Sequence, residues 1–519
     1  MFGFLSQEPG SHSETMPQRY IKKILDAKVY DVAIESPLET ANLLSRRLGN
    51  QVLFKREDLQ PVFSFKLRGA YNKLAQLSEE QGARGVIAAS AGNHAQGLAL
   101  AAQKLGIKAT IVMPQTTPEI KVKSVKAKGA KVILKGDAFD EAAAHAQKLV
   151  EEKGYVYIPP YDDEEVIAGQ GTVGMEIMWQ HTAPLHAVFV PVGGGGLIAG
   201  VAAYIKYLRP YVKVIGVEPD DSDCLNAALK AGHRVVLKEV GIFADGVAVK
   251  QIGKLPWEVC KDNVDEVITV STDEICAAIK DVFEDTRSIA EPAGALSVAG
   301  LKKYVAREAL QNENLIAILS GANMNFERLG YISERTEVGE EREAILAVRI
   351  PERPGSFKRF IQALSKRNIT EFNYRYANAD TAQIFVGVQI REGLSERQSL
   401  VKELEDQGLP VLDLTDNEMA KTHIRHMVGG RTAGLREKLF RFEFPERPGS
   451  LMRFLMSLGA RWSITLFHYR NHGAAYSRVL MGAAVEEEDL DAFKVMLDEV
   501  GFRYWEESDN PAYRLFLGD

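Results

Sequence analysis

An α/β protein with a separate α+β tail is predicted by three features of the sequence. Through about residue 335, short runs of β-branched and small apolar residues alternate with amphipathic helical stretches, the pattern of parallel sheets covered on both faces. Residues 334–343, Glu-Arg-Thr-Glu-Val-Gly-Glu-Glu-Arg-Glu, then form a charged connector. Beyond it the hexapeptide Pro351-Glu352-Arg353-Pro354-Gly355-Ser356 returns as Pro445-Glu446-Arg447-Pro448-Gly449-Ser450, an internal repeat.

In the first region, Val86-Ile87-Ala88-Ala89 reads as a buried strand that leads through a small-residue turn into a helix at 95–102. Ala109–Met113 is a strand closed by Pro114. Ala187–Val192 runs into four glycines and a further helix, and Val214–Glu218 and Leu315–Leu319 again have buried-strand composition. In the tail, each hexapeptide follows a short strand, at 345–350 and 439–444. A helix follows, carrying Phe360 and Leu364 or Phe454 and Leu458, and then a strand ending in Tyr374-Arg375 or Tyr469-Arg470. These repeats predict two βαββ modules, 344–416 and 439–511, joined through Gly429-Gly430 and preceded by one region over 1–335.

Composition narrows the function. At 519 residues the chain has room for three or four units of ~150 residues. A net charge of −7 with no basic block argues against a nucleic-acid partner. No run approaches the ~20 apolar residues of a membrane span, and the first ten residues lack the basic and apolar segments of a signal peptide; a cytoplasmic protein is expected. Cys224, Cys260 and Cys276 are odd in number and widely spaced, so reduced thiols are expected. No metal site is expected: Glu218 and Asp223 sit in a helix-entry turn and read as solvated, and nothing near His423 and His426 completes a ligand set.

Four turns carry chemistry. Ser64-Phe65-Lys66-Leu67-Arg68-Gly69-Ala70-Tyr71 offers an amine that Phe63 and Phe65 could wall off from water, which lowers its pKa and frees its lone pair; taken alone, Lys66 reads rather as a surface lysine beside Arg68. Ser90-Ala91-Gly92-Asn93-His94 leaves backbone N–H groups at a helix start, a seat for a carboxylate. Asn93 adds a donor amide, whereas His94 could be a base, although a lone histidine is more often a packing or hydrogen-bonding residue. Gly193-Gly194-Gly195-Gly196-Leu197 lets backbone approach a phosphate at a second helix start. It lacks both the spaced glycines of dinucleotide folds and the Gly-Lys-Ser/Thr of a P-loop. Ser320-Gly321-Ala322-Asn323 places a hydroxyl at a strand end. An amine, a donor amide, a phosphate cup and a hydroxyl are what pyridoxal phosphate would need.

With Glu291-Pro292-Ala293-Gly294-Ala295, these motifs resemble those of the biosynthetic threonine dehydratases, within the fold-type II (tryptophan synthase β-like) pyridoxal-phosphate enzymes. The tail resembles that family's pair of ACT-like modules, so nearly the whole chain is covered. The resemblance implies two parallel-sheet lobes, with Lys66 as the Schiff-base lysine. Asn93 would meet the phenolic oxygen of the cofactor, Gly193 to Gly196 and Leu197 its phosphate, and Ser320 its ring nitrogen. Ser90, Ala91, Gly92, Asn93 and His94 would hold the substrate carboxylate, and Glu291 would lie near the ring or form an ion pair below the site. Deamination of L-threonine to 2-oxobutanoate is implied, with L-serine as a secondary substrate. Isoleucine would inhibit and valine oppose it in a homotetramer, through pockets at Phe357 and Leu451. Related racemases carry a serine where this chain has Ala91, which favours elimination. A pure amino-acid sensor on an inactive fold is the alternative, and retention of Lys66 argues against it.

Overall fold

A computed structural model describes residues 16–519 except 327, 341, 354, 365–366, 377–379, 418–419, 422–423, 427–435, 446–449, 459–461, 471–475, 511–512 and 514–519. The signal-peptide reading of the first ten residues, the Gly429-Gly430 joint, His423 and most of the second hexapeptide lie outside these. The chain divides into two compact units, Met1–Ile332 and Ser333–Asp519.

The first unit contains two sheets. Its strands are β1 (Leu38–Thr40), β2 (Gln51–Arg56), β3 (Val86–Ala89), β4 (Ala109–Met113), β5 (Lys131–Leu134), β6 (Val156–Tyr157), β7 (Ala187–Pro191), β8 (Lys213–Pro219), β9 (Glu266–Val270) and β10 (Asn314–Leu319). The larger sheet has the order β1-β2-β10-β7-β8-β9 and the smaller β5-β4-β3-β6. Every pairing is parallel except that of the edge strand β1 with β2.

Both faces of the larger sheet are buried, which explains its unbroken apolar runs. In β10, Leu315, Ala317 and Leu319 enter one core while Ile316 and Ile318 enter the other. The neighbouring Val52, Leu53 and Phe54 of β2 alternate in step with them, as the two-residue period of a strand requires. All four chemistry-bearing turns follow carboxyl ends of parallel strands, where ligands of open α/β sheets bind. Those bearing Lys66, Ser320 and the glycines follow the adjacent strands β2, β10 and β7; the asparagine turn follows β3 of the other sheet.

Lys66 begins the helix Lys66–Ala75, and what holds that helix is a buried charge network. Arg68 is completely buried. Its guanidinium forks onto Glu57 (2.8 and 2.8 Å) and Glu176 (2.5 and 3.0 Å) and also reaches Thr172 Oγ1 and the Ile34 carbonyl. Lys55 Nζ donates to Glu176 Oε2 and the Ser36 carbonyl (both 2.6 Å) and to Gln180 (2.9 Å). Two cations thus meet two carboxylates with their N–H groups used, the condition under which buried charge is tolerated. Arg68 is no neighbour of a solvated lysine, as the sequence allowed; it ties the helix to the turn Glu57–Leu59 that follows β2 and to the helix Glu164–Gln180.

The second unit is one eight-stranded antiparallel sheet. Its strands are β11 (Glu343–Pro351), β12 (Ile369–Arg375), β13 (Thr381–Gln389), β14 (Val411–Asp413), β15 (Glu437–Pro445), β16 (Ser463–Arg470), β17 (Tyr476–Ala484) and β18 (Arg503–Glu506), in the order β14-β11-β13-β12-β16-β17-β15-β18. Each module continues past the expected βαββ into a second helix, Gly393–Asp406 or Leu490–Val500, and a short outer strand, giving the ferredoxin-like βαββαβ order. The modules join through β12 and β16, where Asn373 faces His468. These residues are equivalent in the repeat, each preceding the matched Tyr-Arg pair, so a local pseudo-twofold axis passes between them. The symmetry extends to side chains: Thr370 donates to Glu343 in one module and Thr465 to Glu437 in the other.

Replacing Arg68 by alanine strands two buried carboxylates and should cost roughly 3–5 kcal/mol in urea unfolding. Lysine in its place should recover only part of that, because an ammonium cannot fork onto two carboxylates.

Candidate active site

Lys66 retains accessible surface, yet protein surrounds it deeply enough for burial to push its amine below the usual lysine range, against the charges of Glu291 and Asp245. The side chain therefore lies in an internal cleft, and its neutral form is favoured. Gly97, on the helix Asn93–Leu105, makes this approach possible. A Cβ there would come within 2.9 Å of Leu67 N and 3.1 Å of the Lys66 carbonyl carbon.

The walls differ from expectation. Phe63 is 55% exposed and has φ +54°, a left-handed conformation that costs about 1–2 kcal/mol in a non-glycine residue. It is held by Phe63 N–H on the Gln60 carbonyl (2.7 Å) and by Ala322 N–H on its own carbonyl (2.9 Å). The same turn carries its ring to the surface, so Phe63 does not wall Lys66. Phe65 is half-buried against the apolar cluster of the larger sheet.

The segment 320–323 clips onto 62–65. Ser64 and Gly321 form an antiparallel bridge, and Phe65 N–H donates to the Ser320 carbonyl. Ser320 is buried, its hydroxyl making a long 3.3 Å bond to the Ala293 carbonyl that a stronger acceptor could replace. Asn323 Nδ2 donates to the Val62 carbonyl (2.8 Å) and to Asn93 Oδ1 (2.7 Å).

Asn93 and His94 open the helix Asn93–Leu105, whose N-terminus has no side-chain cap. Space in front of it is open, because a Cβ on Gly92 would meet nothing within 4 Å. Ser90 Oγ accepts from Gly92 N–H and shapes the turn, and Ser90, Ala91 and Gly92 keep accessible surface. His94 is buried with Nε2 on the Ile158 carbonyl (2.9 Å); burial pushes its pKa down to about 4. It is a neutral hydrogen-bonding residue that faces away from bulk water.

The glycine turn begins the helix Gly196–Leu208. Gly195 has φ +90°, and a Cβ on Gly194 would overlap the Tyr161 ring, which the sequence did not flag. Among the described residues none accepts from the N–H groups of Gly194, Gly195, Gly196 or Leu197. Free amides at a helix N-terminus, bare of side chains, fit a phosphate. With the Lys66 amine and Ser320 hydroxyl from adjacent strand ends and the Asn93 amide from the other sheet, the residues present fit pyridoxal phosphate.

Glu291 caps the helix Pro292–Glu308 from a buried position, and its Oε1 accepts from Asn93 Nδ2 at 2.6 Å. Burial, and then the charge of Asp245, raise its carboxyl to about 7, against the Asn93 bond and the Lys66 charge. It is therefore beside the site, joined to Asn93.

Glu218 is buried, correcting the solvated reading. Its oxygens accept from Leu225 and Asn226 N–H (2.8 and 2.9 Å) at the start of the helix Cys224–Ala231, and burial raises it to about 8. Asp223 accepts from the Asn226 side chain, and His426 lies 3.6 Å from Glu334.

In the second unit, a pocket is lined by Glu352, Arg353, Phe357 and Lys358 of the first module and Leu455, Leu458, Trp462 and Ile464 of the second. Phe357 thus faces a cavity. Leu451, its equivalent, is half-buried against the same core that Phe357 also touches; the pocket itself is asymmetric, one module presenting its turn and the other the later part of its helix.

His94, with a folded pKa of about 4 against an ordinary 6.5, binds fewer protons folded than unfolded between those values. Its stabilisation is complete above pH 6.5 and is lost as pH falls toward 4. Thermal midpoints should fall across this window, and more shallowly in His94→Gln. Glu291, raised from 4.5 to about 7, acts with opposite sign, its stabilisation being lost as pH rises through that range, and is unchanged in this comparison.

Comparison with known proteins places these features. Residues 29–321 match the family of pyridoxal-phosphate dependent enzymes, and 334–424 and 428–517 each match the C-terminal regulatory domain of threonine dehydratase. The chain is 57% identical to a biosynthetic L-threonine dehydratase of Burkholderia multivorans, over 96% of this chain and 99% of that protein. Identity to the Escherichia coli enzyme is 54%, over 96% and 97%. A solved structure of processed threonine deaminase isoform 2 from Solanum lycopersicum is similar with a TM-score of 0.62 and 51% identity, over 64% of this chain and 91% of that one. The chain belongs to the biosynthetic threonine dehydratases, pyridoxal-phosphate-dependent lyases with a C-terminal regulatory domain.

Proposed function

We propose that this chain deaminates L-threonine to 2-oxobutanoate and ammonia, the first step of isoleucine synthesis, with L-serine as a secondary substrate. The observation that carries the reading is the Lys66 amine, shielded and shifted toward its neutral form where four strand-end turns converge. Lys66 would hold the cofactor covalently. Gly193 to Gly196 and Leu197 would receive its phosphate on free amides, Ser320 its ring nitrogen and Asn93 Nδ2 its phenolic oxygen.

When bound, pyridoxal phosphate supplies the sink for charge left on the substrate's α-carbon. The chain provides the rest. Ser90, Ala91, Gly92, Asn93 and His94 present the open helix N-terminus to the substrate carboxylate, which orients the α-hydrogen. Lys66 Nζ, kept neutral by burial with its lone pair free, takes that proton. Ser320, a neutral hydroxyl, would hold the ring nitrogen without imposing the full positive charge that an aspartate would, which favours loss of the β-hydroxyl over return of the proton. Ala91 has no proton to give back, which supports elimination over racemisation. One methyl group in a pocket is worth ~1–3 kcal/mol, so serine is accepted more weakly.

Catalysis is assigned to residues 1–335 and regulation to 344–416 and 439–511. Isoleucine inhibits and valine opposes it. The pocket at Phe357 suits an aliphatic amino acid: Glu352 for the ammonium, Arg353 for the carboxylate, and Leu455, Leu458 and Ile464 for the side chain. A second effector position is assigned at Leu451. The assembly is a cytoplasmic homotetramer, to be checked by sedimentation; among the described residues no helix is long and apolar enough to cross a membrane.

Incubation with threonine should release 2-oxo acid, and Lys66→Ala should abolish it; equal turnover in the variant rejects the assignment. Phe357→Ala should raise the isoleucine concentration for half-inhibition by roughly tenfold or more, about 1.4 kcal/mol of effector binding, with turnover in its absence unchanged. Unaltered inhibition would remove the effector from this pocket.

A further inference from the structure

The orientation of three polar side chains beside Lys66 is settled by one backbone atom. The Val62 carbonyl can only accept, so the end of Asn323 that faces it at 2.8 Å is the nitrogen. The other hydrogen of that nitrogen points at Asn93 (2.7 Å), whose facing atom must then be oxygen. Asn93 Nδ2 is thereby turned to Glu291 Oε1 at 2.6 Å. A flip of either amide would set N–H against N–H or carbonyl against carbonyl. Donation therefore starts at Asn323 Nδ2 and runs to the Val62 carbonyl on one side and through Asn93 to the Glu291 carboxyl on the other. One Nδ2 hydrogen of Asn93 is used by Glu291; the second remains for a ligand.

We propose that Asn323 is a positioning residue that fixes the donor direction of Asn93, so that Asn93 offers the cofactor an N–H and never its carbonyl. This rests on the assignment of Asn93 to the phenolic oxygen. An oxygen that receives an N–H is held in its deprotonated form, whereas one that faces a carbonyl must keep its proton. Asn323, through Asn93, thus sets the protonation of the bound cofactor without touching it. Asn323 also bridges elements: it sits past β10, while Asn93 follows β3 of the other sheet, so the setting exists only when the two sheets are docked.

The test is the absorption spectrum of the holoprotein and its pH dependence, which a merely structural role would not move. Asn323→Asp keeps the shape but can only accept, so it turns Asn93 around; Asn323→Leu removes both donors and leaves Asn93 free to turn. Both should retain cofactor, but the visible band should lose intensity to the near-ultraviolet band. The pH midpoint between them should move by about one unit, a tenfold change in ratio, with Asn323→Asp the larger effect. Asn323→Ser, smaller and still a donor, should lie between wild type and Asn323→Leu, and it serves if either other variant fails to fold. Wild-type band ratios and midpoints in the folded Asn323 variants overturn the inference. Asn93→Leu separates the two readings: if it moves the bands and the Asn323 variants do not, only this inference falls. If Asn93→Leu leaves the bands unchanged, the assignment of Asn93 falls, and this inference with it.

Discussion

The buried ion network around Arg68 is the constraint on which the catalytic unit depends. Lys66 is the first residue of its helix, and helix ends fray unless something holds the first turn. Arg68, two residues on, spends every guanidinium hydrogen on Glu57, Glu176, Thr172 and the Ile34 carbonyl. Lys55 completes the balance of charge. Such a network adds little net stability over a well-packed apolar core, because desolvation offsets the attraction. What it adds is a single register: no shift of the helix along the Glu164–Gln180 helix keeps both forks.

Around that fixed point the site is assembled from backbone more than from side chains. The glycine turn and the open start of the Asn93–Leu105 helix offer amides, and Gly97 clears the way for the Lys66 backbone. The titratable groups nearby are displaced from their ordinary behaviour by burial above all: Lys66 and His94 downward, Glu291 upward. A lysine and a carboxyl, close enough to influence each other, are both moved toward their neutral forms, a pattern typical of functional sites.

The regulatory unit uses duplication differently. Joining the modules through β12 and β16 removes two sheet edges that would otherwise be open to non-specific pairing. Buried carboxylates are paired with arginines at the joint. Glu437 pairs with Arg375 of the other module (2.5 Å), while Glu343 and Glu371 receive Arg425 from the segment between modules. The pocket beside Phe357 takes the turn of one module and the later part of the helix of the other.

The sequence by itself determined the strands, the turns that end them and the repeat. Those depend on local composition: apolar runs that can be buried on both faces, glycines where backbone must come close, and a hexapeptide copied with its flanking elements. It also singled out Lys66, the glycine turn and Ser320 as candidates, because residue type at a strand end limits what can be bound there. Only the tertiary structure decided the partners. Arg68 looked like a surface neighbour until Glu57 and Glu176, from two other elements, closed around it. Phe63 looked like a wall until the clip to Ala322 turned it outward. Glu218 looked solvated until a helix start was found on it, and Glu291 stayed ambiguous until Asn93 arrived from the other sheet. Each of these rests on contacts between residues far apart in the chain, and burial or pairing at such distances leaves no local pattern to read.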